Sequence, residues 1–222
     1  MLRSGLVSLV SLVMAGFVVL GAAGCGGGDT SGTGGSTSTG GAGGATASGG
    51  AGGTGGTTSA GGAGGAWVIT LTSPSITEGG MFPADNTCAG LNVSPELDWT
   101  AAPPETKSFS LLLKDKSNNL IHSAIYDIPA DLLMLPADVD KDQNPADVPG
   151  ATQTKAYDNT TFGYLGPCPG GDLHTYEFTL YALDVATLPI VGVPAKESIL
   201  DLSQEHTLVS ATLTAQSDAT SP

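Results

Sequence analysis

Three ionisable side chains stand where this chain could do chemistry: Asp115, His122 and His174. The sequence holds only three histidines, and two of them fall at the edges of strongly apolar runs. Tyr176 follows His174 two residues later, so on a strand the two side chains share one face. Two imidazoles can donate hydrogen bonds to an oxyanion, and each changes charge near neutral pH. Two histidines and a carboxylate can also form a facial set for iron, or part of a zinc site. No histidine pair lies at a helical or hairpin interval, so the spacing carries no metal motif. An imidazole paired with a carboxylate is also the equipment of acid–base catalysis, if both reach one substrate atom. The plainest alternative is that loop-edge imidazoles are simply solvated. His206 lies in a segment of helical spacing and is read as structural.

Nucleophilic catalysis needs a Ser or Cys with a base in reach, and no G-x-S-x-G occurs. Cys88 and Cys168 are candidate nucleophiles beside a histidine, or candidate partners in a disulfide. Outside the cytoplasm the disulfide is the expectation. It would close a loop of about 80 residues, for a nominal stabilisation of about 4 kcal/mol less any strain. It would also pin the "GPCPGG" turn against the "NTCAG" loop.

The elements that must position these residues are mostly strands. "WVITLTSPSITEG" opens with alternating apolar residues and stops at Ser73-Pro74. "SFSLLLKD", Ser108 to Asp115, reads as a strand buried on both faces, and "LIHSAIYDIPA" as another, with His122 near its start. "HTYEFTLYALDV" from His174 is the clearest strand, with Tyr176, Phe178, Leu180 and Ala182 on one side. "MFPADNTCAGLNVSPELDW" is loop-like, with Trp99 a core candidate, and "DLLMLPADVDKDQNPADVPGATQT" is mostly irregular. "AKESILDLSQEHTL" has helical spacing at Ile199, Leu202 and His206, and "LVSATLTAQ" closes the chain as a strand. Asp115, His122 and His174 thus sit at strand ends, where a scaffold can aim polar groups into a shared concavity. The pattern predicts a mostly β domain.

The first 66 residues are of a different kind. Residues 1–24 combine Arg3, an apolar run from Leu6 to Leu20, and the small residues Ala22, Ala23 and Gly24 before Cys25. The pattern predicts a bacterial lipoprotein signal with Cys25 as the lipidated first mature residue; the alternative is an ordinary secretory signal. Residues 25–66 then form a Gly/Ser/Thr/Ala-rich stretch. With nothing to bury, it cannot offset its ordering entropy and should be a flexible tether with a reach of roughly 35 Å. The folded domain is expected over 67–216, with 217–222 a disordered tail. The chain's formal charge of −14 falls almost wholly on that domain. So acidic a surface repels phosphate backbones and argues against nucleic-acid binding. Attachment to a membrane would come through the N-terminal lipid, in the cell envelope, facing the periplasm or the surface.

Several separated stretches carry a resemblance, in order along the chain. "NTCAGLNVSPELDW", "SFSLLLKD" followed by "HSAIYDIPA", and "GYLGPCPGGDLHTYEFTLYALDV" resemble the phosphatidylethanolamine-binding protein family, in its bacterial, Raf kinase inhibitor-like branch. The likeness spans nearly all of Trp67 to Ala215. It implies a central antiparallel β-sheet, a second small sheet and one or two short helices near the C-terminus. It also implies a small pocket for a phosphate-type anion or a phospholipid headgroup, with no cofactor and no catalysis. By position, Asp115 matches the first Asp of the family's Asp-Pro-Asp motif and His122 the histidine of the next strand. Pro169, His174 and Tyr176 match the turn that forms the pocket's far wall. A rigid turn would hold His174 still, and a fixed imidazole binds an oxyanion at lower entropic cost than a mobile one. The departures are Asp115-Lys116-Ser117 in place of Asp-Pro-Asp, Ile121 where an aromatic is usual, Thr175 in place of an Arg, and Gly170-Gly171 after the turn. They imply a wider, more open pocket, in which Lys116 is placed to supply positive charge. The resemblance also allows a protein partner, as an inhibitor or regulator of an envelope or secreted protein. Metal-assisted or acid–base catalysis is the remaining alternative.

Overall fold

The computed structural model describes residues 67–222. The expected signal segment, Cys25 and the tether lie outside the described residues. The strands are β1 (Leu71–Thr72), β2 (Gly80–Met81), β3 (Leu97–Trp99), β4 (Ser108–Asp115), β5 (Ile121–Pro129), β6 (Met134–Leu135), β7 (Thr152–Gln153), β8 (His174–Leu183) and β9 (Thr207–Ser217). The α-helix of the described residues, α1 (Lys196–Glu205), precedes β9. Six strands form the central sheet in the order β2-β9-β8-β4-β5-β7, and β1-β3-β6 form a second, small sheet. All pairings are antiparallel except that of the short edge strand β2 with β9. The mostly β expectation, with a second small sheet and a late helix, is met.

Alternation along β4 and β8 explains the layering. Phe109, Leu111 and Leu113 of β4 and Tyr176, Phe178, Leu180 and Ala182 of β8 share one core cluster. Leu71, Leu97, Trp99 and Leu135 of the small sheet cover that face. The other face buries Leu112, Tyr181 and Leu183 against Ile199 of α1. Burying both faces is what makes β4 read as a continuous apolar run rather than as an alternation. The helix is pinned to the sheet by a 2.6 Å hydrogen bond between the buried hydroxyls of Ser110 and Ser203. His206 follows the helix, and its Nδ1 lies 2.9 Å from Asp184 Oδ1, consistent with a structural role.

The β4–β5 pairing has two irregularities, and one of them matters for function. Leu113 faces Ser123, but the next residue, Lys114, faces Ile121, so His122 is the extra residue of a bulge. Bulges re-aim side chains at the ends of sheets. This one lies at the same end of the sheet as Asp115 and His174.

Candidate functional site

Asp115 ends β4 and lies opposite Tyr176 of β8 in the ladder. His174, two residues earlier on β8, shares the face of Tyr176. Its Nδ1 donates to Asp115 Oδ2 at 2.6 Å. The other carboxylate oxygen, Oδ1, accepts the backbone N–H of Ser117 at 2.8 Å. Asp115 is 1% exposed, so both oxygens meet the obligation of a buried charge to be paired. With Nδ1 engaged, Nε2 is the nitrogen of His174 left for a ligand.

The hairpin beyond β4 is tight, with Asp115 N–H bonded to the Leu120 carbonyl at 2.8 Å. Thr175 N–H donates to Ser117 Oγ at 3.0 Å, so Ser117 ties both strands to the carboxylate. Lys116 reaches Glu177 at 2.8 Å instead of the cluster. The sequence placed a free positive charge at Lys116; the structure spends it in a surface ion pair.

His122 is buried, 4% exposed. Its Nδ1 lies 3.2 Å from the Leu165 carbonyl, which can only accept, so Nδ1 carries the proton there. Its ring meets Tyr176 edge-on at 5.2 Å and Tyr157 at 4.4 Å between centroids. Burial holds the imidazole below its ordinary pKa of 6.5; the Leu165 bond and the charge of Asp115 oppose this, and Lys196 and His174 add to it. Burial likewise raises the Tyr176 hydroxyl, and the charge of Asp115 raises it further. Asp115, His122, His174 and Tyr176 are therefore brought together.

Pro169 joins this end of the sheet through the turn that precedes β8. That turn is clamped at several points. Cys88 and Cys168 form a disulfide with their Cα atoms 5.4 Å apart, which removes both as nucleophiles. Cys88 N–H donates to the Pro167 carbonyl at 3.1 Å, and Gly166 N–H to Asn92 Oδ1 at 2.7 Å. A side chain at Gly166 would have its Cβ 2.4 Å from the Asn86 carbonyl oxygen, so the close approach requires glycine. The Tyr164 hydroxyl donates to the same carbonyl. After the turn, Gly170 N–H bonds the Ala219 carbonyl at 3.1 Å, so residues past β9 hold it as well.

Sequence reasoning missed Tyr157, Ser117 and Asn92. Ser117 had a local signal, because an Asp readily accepts the N–H two residues on. Tyr157 and Asn92 had none, since each reaches the site from a distant loop. Chemically, the arrangement offers one carboxylate-oriented imidazole and one buried imidazole beside an aromatic wall. It can hydrogen-bond a small oxyanion or orient one proton. Among the described residues no cluster of three or more His, Cys, Asp or Glu is arranged to hold a metal.

This topology defines a mostly β protein of two sheets with a polar cluster at one end of the larger sheet, and comparison with known proteins gives its family. The family model described as phosphatidylethanolamine-binding protein matches residues 72–218. A UPF0098 protein of Methanothermobacter thermautotrophicus is 34% identical over 148 residues, 65% of this chain and 95% of the relative. A Mycobacterium tuberculosis protein described as a candidate lipoprotein, LppC, is 31% identical over 139 residues, 59% of this chain and 65% of its own length. The crystal structure of Escherichia coli YbcL, described as a new member of the mammalian PEBP family, superposes with a TM-score of 0.62. It is 26% identical and covers 68% of this chain and 98% of its own. The chain belongs to the phosphatidylethanolamine-binding protein family.

Proposed function

We propose that the protein is a non-enzymatic binding module for a small phosphate-type anion or a phospholipid headgroup. The site comprises Asp115, His122, Pro169, His174 and Tyr176. The observation that carries this reading is the 2.6 Å Asp115–His174 contact beside His122 and Tyr176, at one end of the central sheet. In it, Asp115 is a positioning residue that fixes the ring of His174. His174 and His122 meet the oxyanion, Tyr176 supplies an aromatic wall, and Pro169 on the clamped turn closes the far side. The groups are held before the ligand arrives, so little ordering entropy is lost on binding.

The domain is proposed to stand outside the cytoplasm, anchored through lipid on Cys25 and the tether of residues 25–66. The disulfide supports an oxidising compartment. The candidate lipoprotein among the relatives supports the envelope.

The test is an NMR titration of the full-length protein with inorganic phosphate and then phosphoethanolamine, following the imidazole resonances. The expected result is saturable shifts at His122 and His174 together, with His206 silent. Imidazoles that stay unmoved at millimolar ligand would overturn the reading. A tighter response to phosphoethanolamine than to phosphate would identify the headgroup as the ligand.

A further inference from the structure

A second concavity lies beside the N-terminus of α1. It has a volume of about 610 Å³ and is lined by Lys155, Tyr157, Lys196 and Glu197, with Leu120 and Val193 among its apolar walls. The size is that of a small-molecule site. Its charge is unlike the rest of the molecule. The chain has seven basic side chains against 21 acidic ones, and two of the seven line this groove.

Those two lysines are not neutralised within the protein. Lys196 is 8% exposed, yet among the described residues no carboxylate lies within ion-pair distance of it or of Lys155. The ammonium of Lys196 bonds the Ala156 carbonyl at 3.2 Å, which uses one of its three donors. The Lys155 ammonium lies 5.8 Å above the Phe162 ring, a contact that leaves its charge in place. Lys116, by contrast, is paired with Glu177. A largely buried ammonium without a counterion is costly, and an anion in the groove would offset that cost.

The helix start adds donors. Ala195 at the N-cap offers no side-chain cap; the Ser198 N–H bonds the Ala195 carbonyl at 3.1 Å, which leaves the backbone N–H groups of Lys196 and Glu197 as the free donors at the start of α1. The exposed apolar side chains Leu120 and Val193 line the same groove. We propose that this groove binds an organic oxyanion, a phosphate monoester or carboxylate carried on a short apolar body. The oxyanion sits between Lys155, Lys196 and the start of α1. The apolar body lies against Leu120 and Val193. Tyr157, whose ring packs on His122, is the wall between this groove and the site proposed above. The two are otherwise on different elements, since none of Asp115, His174 and Tyr176 lines the groove.

The test uses the labelled full-length protein and three probes: n-butyl phosphate, butyrate and inorganic phosphate. Butyl phosphate should give saturable shifts at the Lys196 and Glu197 amides. Lys155→Gln should weaken it by about two- to fivefold, the range of an exposed ion pair, and Glu197→Gln should strengthen it by a similar factor. His174→Asn should leave these shifts unchanged, which separates this groove from the imidazole site. Inorganic phosphate should bind more weakly than butyl phosphate, and butyrate should compete with it. Amides at the start of α1 that do not respond, an affinity indifferent to both charge variants, or a response abolished by His174→Asn would each overturn the proposal. Imidazole shifts without helix shifts would leave the first site standing and remove the second.

Discussion

His122 shows how much a single residue can couple here. Its burial depresses the imidazole pKa below 6.5, so the folded state resists protonating it while the unfolded chain does not. Above pH 6.5 neither state carries the proton, and the fold has its full stability. As pH falls below 6.5 the unfolded state gains a proton first, and stability declines down to the folded pKa. Each unit of depression is worth about 1.4 kcal/mol. We expect urea unfolding to show this loss as pH falls from 6.5 towards the lowered folded pKa and expect it to be smaller in His122→Asn, the difference isolating this side chain. Equal pH slopes in the two proteins would show that the imidazole is not held neutral by the fold. The same depression has a functional side. With Nδ1–H given to Leu165, a neutral His122 shows a ligand only the lone pair of Nε2, so phosphate affinity should rise as pH falls below 6.5. Phosphate binding by calorimetry at two pH values checks the direction.

Among the elements, the turn before β8 carries the site most directly. Its two glycine positions are required for different reasons. Gly166 is a matter of space, since a Cβ would press on the backbone at Asn86 and Thr87. Gly170 is a matter of conformation, with φ of +79° and open room around it. Gly166→Ala should therefore cost about 1–3 kcal/mol and weaken phosphate binding, because the clamped backbone must move. Gly170→Ala should cost about 1 kcal/mol through left-handed strain alone. Denaturant midpoints for the pair decide it, and an unperturbed Gly166→Ala would mean the turn is not held against the Asn86 loop. The same element shows what a sequence can disclose. Strand β8 was legible because Tyr176, Phe178, Leu180 and Ala182 alternate within a strand of ten residues. Strands β2, β6 and β7 are two residues each, too short for any period, and were invisible as strands, whereas the equally short β1 falls inside the alternating run that stops at Ser73-Pro74. Asp115 and His174 could be placed at strand ends from the apolar runs, and the family resemblance paired them. The aim of His122 could not be read, because it depends on a bulge between Leu113 and Lys114, which no local pattern marks. The contact of Tyr157 with that ring likewise comes from a loop held by tertiary hydrogen bonds, such as Tyr157 N–H to the His122 carbonyl at 2.8 Å.

On the scale of the whole molecule, charge sets the terms. Arg3 and Asp29 cancel, so the full −14 rests on residues 67–222. The favourable side of the ledger is thin, since among the described residues Lys116–Glu177 is the ion pair that joins a lysine to a carboxylate. Self-repulsion among many like charges destabilises a compact state, and salt screens it over a Debye length of about 10 Å at 0.1 M. A protein rich in surface ion pairs would lose stability on screening, but this one has little of that kind to lose. The 2.6 Å contact of His174 with Asp115 is held at a carboxylate that the fold buries from solvent ions. Thermal unfolding at neutral pH should therefore move to higher temperature as sodium chloride is raised from about 0.01 M to about 0.3 M, with most of the gain below about 0.15 M. A midpoint that instead falls with salt would mean that local attractions outweigh the global field. The same field bears on ligands: an acidic body slows the approach of anions even to places that attract them at contact, as the lysine-lined groove and the paired imidazoles would. Binding of anions at either place should thus speed up as salt rises, even while the contact itself weakens, and stopped-flow association rates for butyl phosphate across the same salt series would separate the two effects.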